Sequence, residues 1–383
     1  MAIKSKTIFA AVVEDVKGTL ETDAATDAIG IIDFSLKPEI AQIARKIMTD
    51  SLTPLDPLMG KQNAGFSVTV ELKGSGVHGT VPEAAALFEV CFGKQTIIGD
   101  GTVKATPTPT QTAFTVSGTE EIHKGDLILV KIDDAYQTAW VTSATAGTAE
   151  VALVVSGLSE APASAAVVKG SVMYNLLSSG HKSLSAYFYL DGDIKFSFAG
   201  CQGTCKLSGF EVGAAPKAEF SMEALSWAVE SAACGYTPTI DRTLKPPVVL
   251  GAELNLNGTP EYARSVDLDL GIKVSRREAM QAISGTHALD VSERDTKGSF
   301  DPYLENLNHF TAWQALTPAI LDVLLADKLA APNLIGLRLP KILRNKVDLA
   351  DKDNVWTQKI AFSCHGDGDD EVALAFAKTP SAA

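Results

Sequence analysis

Apolar and polar residues alternate in short runs along most of this chain. In one such run Phe66, Val68, Val70 and Leu72 occupy every second position, so one face of the segment is apolar and the other is polar. This period of two is typical of a β-strand with one buried face. Similar runs, separated by Gly, Asp, Asn and Pro, continue towards the C-terminus. The pattern predicts a mainly β protein with a sandwich or barrel core and short flanking helices.

A few segments have the spacing or composition of helices instead. Residues 39–52 follow a proline and carry apolar side chains three and four positions apart, and residues 82–93 begin with proline and end at Gly93. Proline in the first turn and glycine after the last turn are typical helix boundaries. Residues 300–316 and 317–330 are also predicted to be helical.

The composition changes near Val103. Residues 104–118 are rich in Thr and Pro and cannot form a helix, and short alternating runs follow as far as Ser171. These runs predict a small β-sandwich or barrel inserted into a larger domain. Residues 1–35, which are polar with brief apolar runs, are predicted to form an extended arm. The predicted division is residues 1–103 as the first part of the core with its N-terminal arm, 104–172 as the inserted β-domain, and 173–383 as the second part of the core.

The strand pattern resumes after the insertion. Asp191-Gly192 is a strong hairpin signal, because both residues tolerate the positive φ of a tight turn between alternating strands. The order strand, strand, helix occurs around residues 66–92 and again around 252–316. This weak internal symmetry does not by itself predict a duplicated domain.

Charge and cysteine content narrow the possible functions. The chain has 33 basic and 46 acidic residues, a formal charge of −13, which disfavours sequence-specific binding to nucleic acid phosphates. Its five cysteines are irregularly spaced, so a disulfide framework is not expected and a reducing compartment fits better. No secretory signal and no apolar stretch of about 20 residues is present, so the chain is expected not to insert into a membrane.

Two sets of residues could be metal ligands. Cys201 and Cys205 are four residues apart on a predicted strand, but no second pair or His partner accompanies them, and packing is the favoured interpretation. The segment from His365 to Glu371 is rich in carboxylates. It lacks the twelve-residue loop and closing Glu of a calcium site, so it is interpreted as a solvated hairpin tip.

Two further sets could carry catalysis or base stacking. Ser75 and His78 lie in a Gly-rich segment without the G-x-S-x-G motif of a hydrolase nucleophile, and no Lys-Ser/Thr follows to make a phosphate-binding loop. Tyr187, Tyr189, Phe196 and Phe198 could stack on bases, but without interleaved basic residues a packed sheet face is favoured. No cofactor, metal or catalytic residue is predicted.

Three stretches together resemble the tail tube proteins of long, non-contractile-tailed phages. Residues 70–93 are similar to that family's strand, Gly-x-Gly turn and proline-started helix. Residues 190–224 resemble its hairpin with an Asp-Gly tip, glycine-punctuated strand and Gly-x-x-Pro turn, with Gly200, Gly203 and Gly213 at the glycine positions. In residues 287–304 an arginine near the end of a strand precedes Gly-Ser and a helix. The resemblance covers most of the chain outside the insertion.

The resemblance implies a β-sandwich or barrel subunit that assembles into stacked hexameric rings around a tape measure protein. The rings would form a conduit for phage DNA, which passes without sequence-specific binding, and would join a tail terminator and tail tip or baseplate proteins. It also implies a virion protein made in the host bacterial cytoplasm. An arm such as residues 1–35 would order only on docking to the next ring.

The residues proposed for assembly contacts occupy turns or basic positions where close approach or a fixed geometry is expected. They are Gly200, Gly203, Gly213, Arg276, Arg277 and Arg294. Three alternatives remain open: the inner tube of a contractile tail or secretion device, which would be shorter and lack the insertion; a carbohydrate-binding or adhesive β-module, indicated by residues 104–172; and an enzyme.

Overall fold

Alternating apolar residues form long antiparallel strands in a computed structural model of the chain. The structure describes residues 4–378 apart from short segments, namely 23–27, 49–52, 54, 119–121, 134, 148–149, 192, 236–243, 327–332, 353 and 367–369. Within these limits the protein is mainly β, as predicted, with two short α-helices.

Three groups of elements follow one another along the chain. The first comprises a short 3₁₀ helix (Lys4–Lys6), β1 (Ile8–Val13), β2 (Ile31–Leu36), β3 (Glu39–Ile43), β4 (Leu58–Glu71), α1 (Ala85–Phe92) and β5 (Gly93–Ile97). The second comprises β6 (Gly101–Val103), β7 (Ala113–Ser117), β8 (Leu127–Ile132), β9 (Ala135–Ala146), β10 (Glu150–Ser156) and β11 (Val167–Lys169).

The third group completes the fold. It comprises β12 (Val172–Leu176), β13 (Leu184–Leu190), β14 (Ile194–Glu211), β15 (Lys217–Ala224), β16 (Ser226–Glu230), β17 (Glu253–Leu256), β18 (Thr259–Pro260), β19 (Ala263–Asp269), β20 (Ile272–Glu278), β21 (Thr286–Arg294), β22 (Lys297–Pro302), α2 (Asn308–Gln314), β23 (Ala319–Ala326), β24 (Leu334–Lys352), β25 (Val355–Cys364) and β26 (Ala373–Ala377).

Aromatic side chains fill the centre of the main core. The Phe188 ring lies 4.7 Å from that of Phe9, 5.2 Å from that of Phe66 and 5.9 Å from that of Phe198, measured between ring centroids. All four side chains are buried. Burial of each ring contributes about 2–3 kcal/mol, and each favourable ring pair adds about 1 kcal/mol. The strands β1, β4, β13 and β14 are thereby held together by the residues that alternate in the sequence.

The same pattern of strand pairing occurs twice in the chain. In the first copy β2 and β3 pair with β4, and in the second β19 pairs with β22 while β20 pairs with β21. Adding 232 to the residue numbers converts seven of the nine facing pairs that β2 and β3 make with β4 into facing pairs of the second copy. Thus Phe34–Val68 becomes Val266–Phe300, and Ile40–Gln62 becomes Ile272–Arg294.

The remaining pairings are repeated too. The pairs β1–β13, β13–β14, β14–β15, β14–β16 and β15–β4 have the counterparts β17–β23, β23–β24, β24–β25, β24–β26 and β25–β22. The register shift between Leu184 and Ala186 recurs between Ala319 and Leu321. We call β1–β4, α1 and β13–β16 the first repeat, and β17–β26 with α2 the second repeat.

A closed six-stranded barrel, formed by β6–β11, separates α1 from β13. In the second repeat the corresponding connection, residues 315–318, is short. The barrel has its own apolar core, which continues into β12, β24 and β26. Gly336 on β24 makes this approach possible, because a Cβ atom there would lie 2.9 Å from Leu127 and 3.0 Å from Trp140 of the barrel.

Two predicted helices are wrong. Residues 39–43 are strand β3, residues 44–48 have no regular structure, and 49–52 lie outside the described residues. Pairing with β4 overrides the helical spacing, whose apolar side chains face no core and are exposed. Residues 319–326 of the predicted helix 317–330 are strand β23, and 327–330 lie outside the described residues.

The error at β23 has a clear cause. Leu321 and Val323 face the main core, whereas Leu324 packs against the barrel core, so the strand is apolar on both faces and has no period of two. The other two helices exist but are shorter than predicted: α1 starts at Ala85, and α2 covers only 308–314 because 300–302 belong to β22.

The N-terminal segment is not a free arm. Strand β1 pairs along its whole length with β13, and β2 pairs with β4. Phe9 and Ala10 are fully buried, which explains the pairing because an apolar strand gains stability from the core. These parts of residues 1–35 are therefore ordered within the subunit, which corrects the prediction that the segment orders only on docking.

Candidate assembly surfaces

The glycines of β14 allow neighbouring backbone to approach closely. A Cβ atom on Gly203 would lie 2.0 Å from the carbonyl oxygen of Ser221 on β15. Gly200 has φ +67°, and a Cβ atom there would lie 2.7 Å from the Cβ of Leu225. Both glycines are inside the subunit. Their closest contacts are therefore with the chain's own strands.

Glu14, which the sequence does not single out, organises this region. Its buried carboxylate accepts hydrogen bonds from the backbone N–H of Gly18 (2.7 Å) and of Gly200 (2.6 Å). It also accepts bonds from the hydroxyls of Ser183 (2.5 Å) and Ser185 (2.9 Å). Several donors satisfy the buried carboxylate, which ties the end of β1 to β13 and β14. An acidic residue after an apolar run carries no sequence signal for such a role.

The other glycine and one arginine hold turns. Gly213 follows β14 with φ +81° and has open space where a Cβ atom would be. Arg294, at the end of β21, forms a two-pronged ion pair with Glu371 (Nε–Oε2 and Nη2–Oε1, both 2.9 Å) and donates from Nη1 to the carbonyl of Leu177 (2.9 Å). Arg294 therefore connects the segment that precedes β26 to the segment that follows β12.

Arg276 and Arg277 on β20 have different surroundings. Arg276 pairs with Glu223 at 3.0 Å and donates to the carbonyls of Ala64 (3.1 Å) and Ala224 (3.3 Å), so it links the second repeat to the middle of β4 and the end of β15. Arg277 is exposed and pairs with Asp290 on the neighbouring strand β21.

An apolar region, which we call the hairpin face, is exposed to solvent on both sides of its strands. It lies on two adjacent hairpins, β3–β4 and β20–β21, joined by the ion pair between Lys61 and Glu278 and by a backbone bond from Gln62 to Ser284. All five residues of β3 are exposed. The exposed apolar side chains of this surface are Ile40, Ile43, Ile47, Met48, Leu58, Met59, Met280 and Ile283.

Ser75 and His78 do not form a hydrogen-bonded pair. The Ser75 hydroxyl lies 2.8 Å from the carbonyl oxygens of Val77 and Thr80, while His78 pairs with Asp100. Serine and histidine therefore have separate partners, unlike the hydrogen-bonded pair that an activated nucleophile needs.

The possible metal and stacking residues are mostly buried. Cys201 and Cys205 are free thiols in the main core, and burial raises the pKa of both well above its ordinary value. Tyr187 and Tyr189 pack with Ala10 in a small cluster on one face of the sheet, whereas Phe196 and Phe198 pack against the main core on the other face. These aromatic residues are therefore packed, as predicted, but they do not form a single sheet face. In the described ranges, no three His, Cys, Asp or Glu side chains lie close enough to hold a metal ion. Part of the 365–371 segment, residues 367–369, is not described.

The fold and these surfaces fit a structural β-protein. A family model described as phage tail tube protein matches residues 4–355, nearly the whole chain. The chain therefore belongs to the phage tail tube protein family, as its sequence motifs indicate. The family gives it a structural role in the tail tube, a part of the virion that assembles from copies of its subunit and joins other tail proteins. Among curated proteins, none matches this chain. No helix in the described part of the chain has the length and apolar character needed to cross a bilayer.

Proposed function

We propose that the protein forms the tail tube of a long, non-contractile phage tail, by self-assembly into stacked rings of six β-units. The tube carries the genome into the host. The observation that supports this proposal most directly is the hairpin face, because its apolar side chains are exposed in the isolated subunit. A two-stranded ribbon alone is marginally stable in water, and an apolar patch of this kind marks a protein contact. Neighbouring subunits would cover it.

The partners follow from this role. Copies of the chain contact each other within and between rings, and the finished tube meets a tape measure protein, a tail terminator and tail tip or baseplate proteins. The protein is made in the host bacterial cytoplasm and acts without catalysis. The formal charge of −13 supports a lumen that DNA traverses without the counterion release of a basic channel. Arg277 and the turn held by Arg294 are candidates for contacts between subunits.

The barrel, residues 101–169, is an inserted domain on the outer surface of the tube. The second repeat supports an insertion, since it joins its helix to the next strand directly through residues 315–318. The barrel packs on β24 and β26 through Trp140, whose ring lies 5.5 Å from the Arg338 guanidinium. An outward position leaves the channel clear.

Changes to the hairpin face test the proposal. The double variant M280S/I283S removes two fully exposed apolar side chains, so we expect the monomer to keep its stability while tube formation weakens at least tenfold in critical concentration. Val154→Ser, which changes an exposed apolar residue of the barrel strand β10, is the matched control and should form tubes normally. Negative-stain microscopy shows whether tubes form, and sedimentation measures the critical concentration. Normal tubes from M280S/I283S would show that Met280 and Ile283 are not needed for assembly.

A further inference from the structure

One strand pairing joins the two repeats inside the chain. The end of β14, in the first repeat, runs antiparallel to β19, which is the counterpart of β2 in the second repeat. Leu207 lies opposite Leu268, and Lys206 lies opposite Asp269, so the seam combines an apolar pair with a pair of opposite charges. Among the residues that the structure describes, every other pairing of the first repeat's framework recurs in the second. This seam is the exception, because its counterpart would need a further copy of the first repeat.

The counterpart strands each have an edge without a partner. β24 corresponds to β14, and β2 corresponds to β19. Among the described residues, β2 pairs only with β4, and the end of β24 from Lys346 onwards pairs only with β25. Apolar side chains on these strands are exposed, 48% for Ile32 and 53% for Leu349. Unpaired strand edges of this kind readily add another strand.

The register of the missing seam can be transferred through the repeats. Val68 and Phe300 are counterparts, and they face Phe220 and Ile360. Phe220 and Ile360 in turn face Cys205 and Val347. Cys205 and Val347 are therefore counterparts. One residue further along each strand, Lys206 corresponds to Asp348, and two residues further, Leu207 corresponds to Leu349. On the other strand, the constant difference of 232 makes Leu36 and Lys37 the counterparts of Leu268 and Asp269.

We propose that β24 of one copy pairs with β2 of the next, with Leu349 opposite Leu36 and Asp348 opposite Lys37. The residue types support this register. The leucine pair is kept, and the charge pair is kept with its signs exchanged, since Lys206–Asp269 becomes Asp348–Lys37. Asp348 also pairs with Lys346 in its own chain at 2.7 Å, which holds the carboxylate on this exposed strand.

The backbone directions agree with the proposed seam. The N–H of Lys37 donates to the carbonyl of Gly65 (2.8 Å), and the N–H of Gly65 donates back (3.2 Å), so both polar groups of Lys37 point to β4. Because directions alternate along a strand, those of Leu36 point to the open edge. Pro38 has no N–H, whereas its counterpart Leu270 donates to Cys205 at 3.0 Å. The seam therefore ends one bond earlier than the internal one.

The pairing sets the composition of the ring. Each chain supplies two repeats, and internal and intermolecular seams alternate around the circle. If a ring contains six β-units, as in the proposed function on which this count rests, three chains close it. The hexameric ring implied by the family resemblance is then a ring of six repeats.

A disulfide trap tests the register. Facing residues with their polar backbone groups turned away from each other lie about 4.5 Å apart between Cα atoms, within the range for a disulfide. The double variant K37C/D348C places thiols at such a pair, on two exposed positions. K37C/L349C is the matched control, because neighbouring strand residues face opposite sides of the sheet. The single variants K37C and D348C control for native cysteines.

After mild oxidation of assembled protein, non-reducing electrophoresis of K37C/D348C should show linked dimers and trimers with no larger species. The three controls should remain at least tenfold less linked. Unlinked K37C/D348C within tubes of normal appearance would overturn the pairing while leaving the tube function intact. A ladder that continues to six chains would overturn the count of three. Whether the wild-type protein forms tubes is read separately by microscopy, so failure of the proposed function is distinguishable.

Discussion

The three glycines of the 200–213 segment should respond very differently to alanine. Gly213 has an unfavourable φ of +81° for alanine but open space, so G213A should cost about 1 kcal/mol. G200A adds a contact of 2.7 Å with Leu225 to a similar backbone cost, which predicts about 2–3 kcal/mol. G203A places a methyl group 2.0 Å from the backbone oxygen of Ser221. Since a carbon and an oxygen normally stay about 3.3 Å apart, β14 and β15 must separate by about 1 Å, at a cost of about 3 kcal/mol or more.

Urea unfolding, followed by circular dichroism, measures this series. The protein concentration should be low enough to keep the wild type unassembled, because assembly stabilises the folded state. The expected order of midpoints is wild type, G213A, G200A and then G203A, with similar slopes. Equal losses from the three variants, or the largest loss from G213A, would refute the account of close strand contact.

Three other changes give separate tests. R294K keeps the charge but loses the two-pronged contact with Glu371, so urea unfolding should show a loss of about 1–2 kcal/mol; unchanged stability would contradict this role. Burial raises the pKa of Asp126 to about 6, so the folded state binds more protons than the unfolded state between about pH 4 and 6. Its contribution to stability is therefore lost as pH rises through 6, by about 2–3 kcal/mol relative to D126N, and parallel pH profiles of the two proteins would exclude it. G336A should loosen the barrel by about 1–3 kcal/mol through crowding of Trp140, measured as faster proteolysis between barrel and core; unchanged proteolysis would contradict the docking.

The strands and the barrel could be predicted because their burial is one-sided. Phe66, Val68 and Val70 are buried while their neighbours are partly exposed, so the period of two in the sequence matches the structure. The change of composition near Val103 likewise marks the barrel, although its first strand, β6, ends at Val103 and its second strand, β7, lies inside the Thr/Pro segment 104–118. The helices at 39–52 and 317–330 were wrongly predicted because burial there is not one-sided: β3 is exposed on both faces and β23 is covered on both.

The candidate site was only partly accessible to sequence reasoning. Glycine positions indicated close backbone approach at Gly200 and Gly203, but Glu14 gives no pattern that reports its partners across the fold. The repeat was visible only as a similar order of elements. The two repeats share the same register of facing residues across their strands. Most of the corresponding positions hold different residue types, as when Val68 corresponds to Phe300. Long-range pairing of this kind leaves little local trace.

Electron microscopy of the purified wild-type protein across a concentration series tests the central claim most directly. The account predicts rings at intermediate concentration and hollow tubes of uniform width at high concentration, since covering the hairpin face and the strand edges favours association. A monodisperse monomer at every concentration would contradict assembly of this chain into a tube by contacts between its own copies.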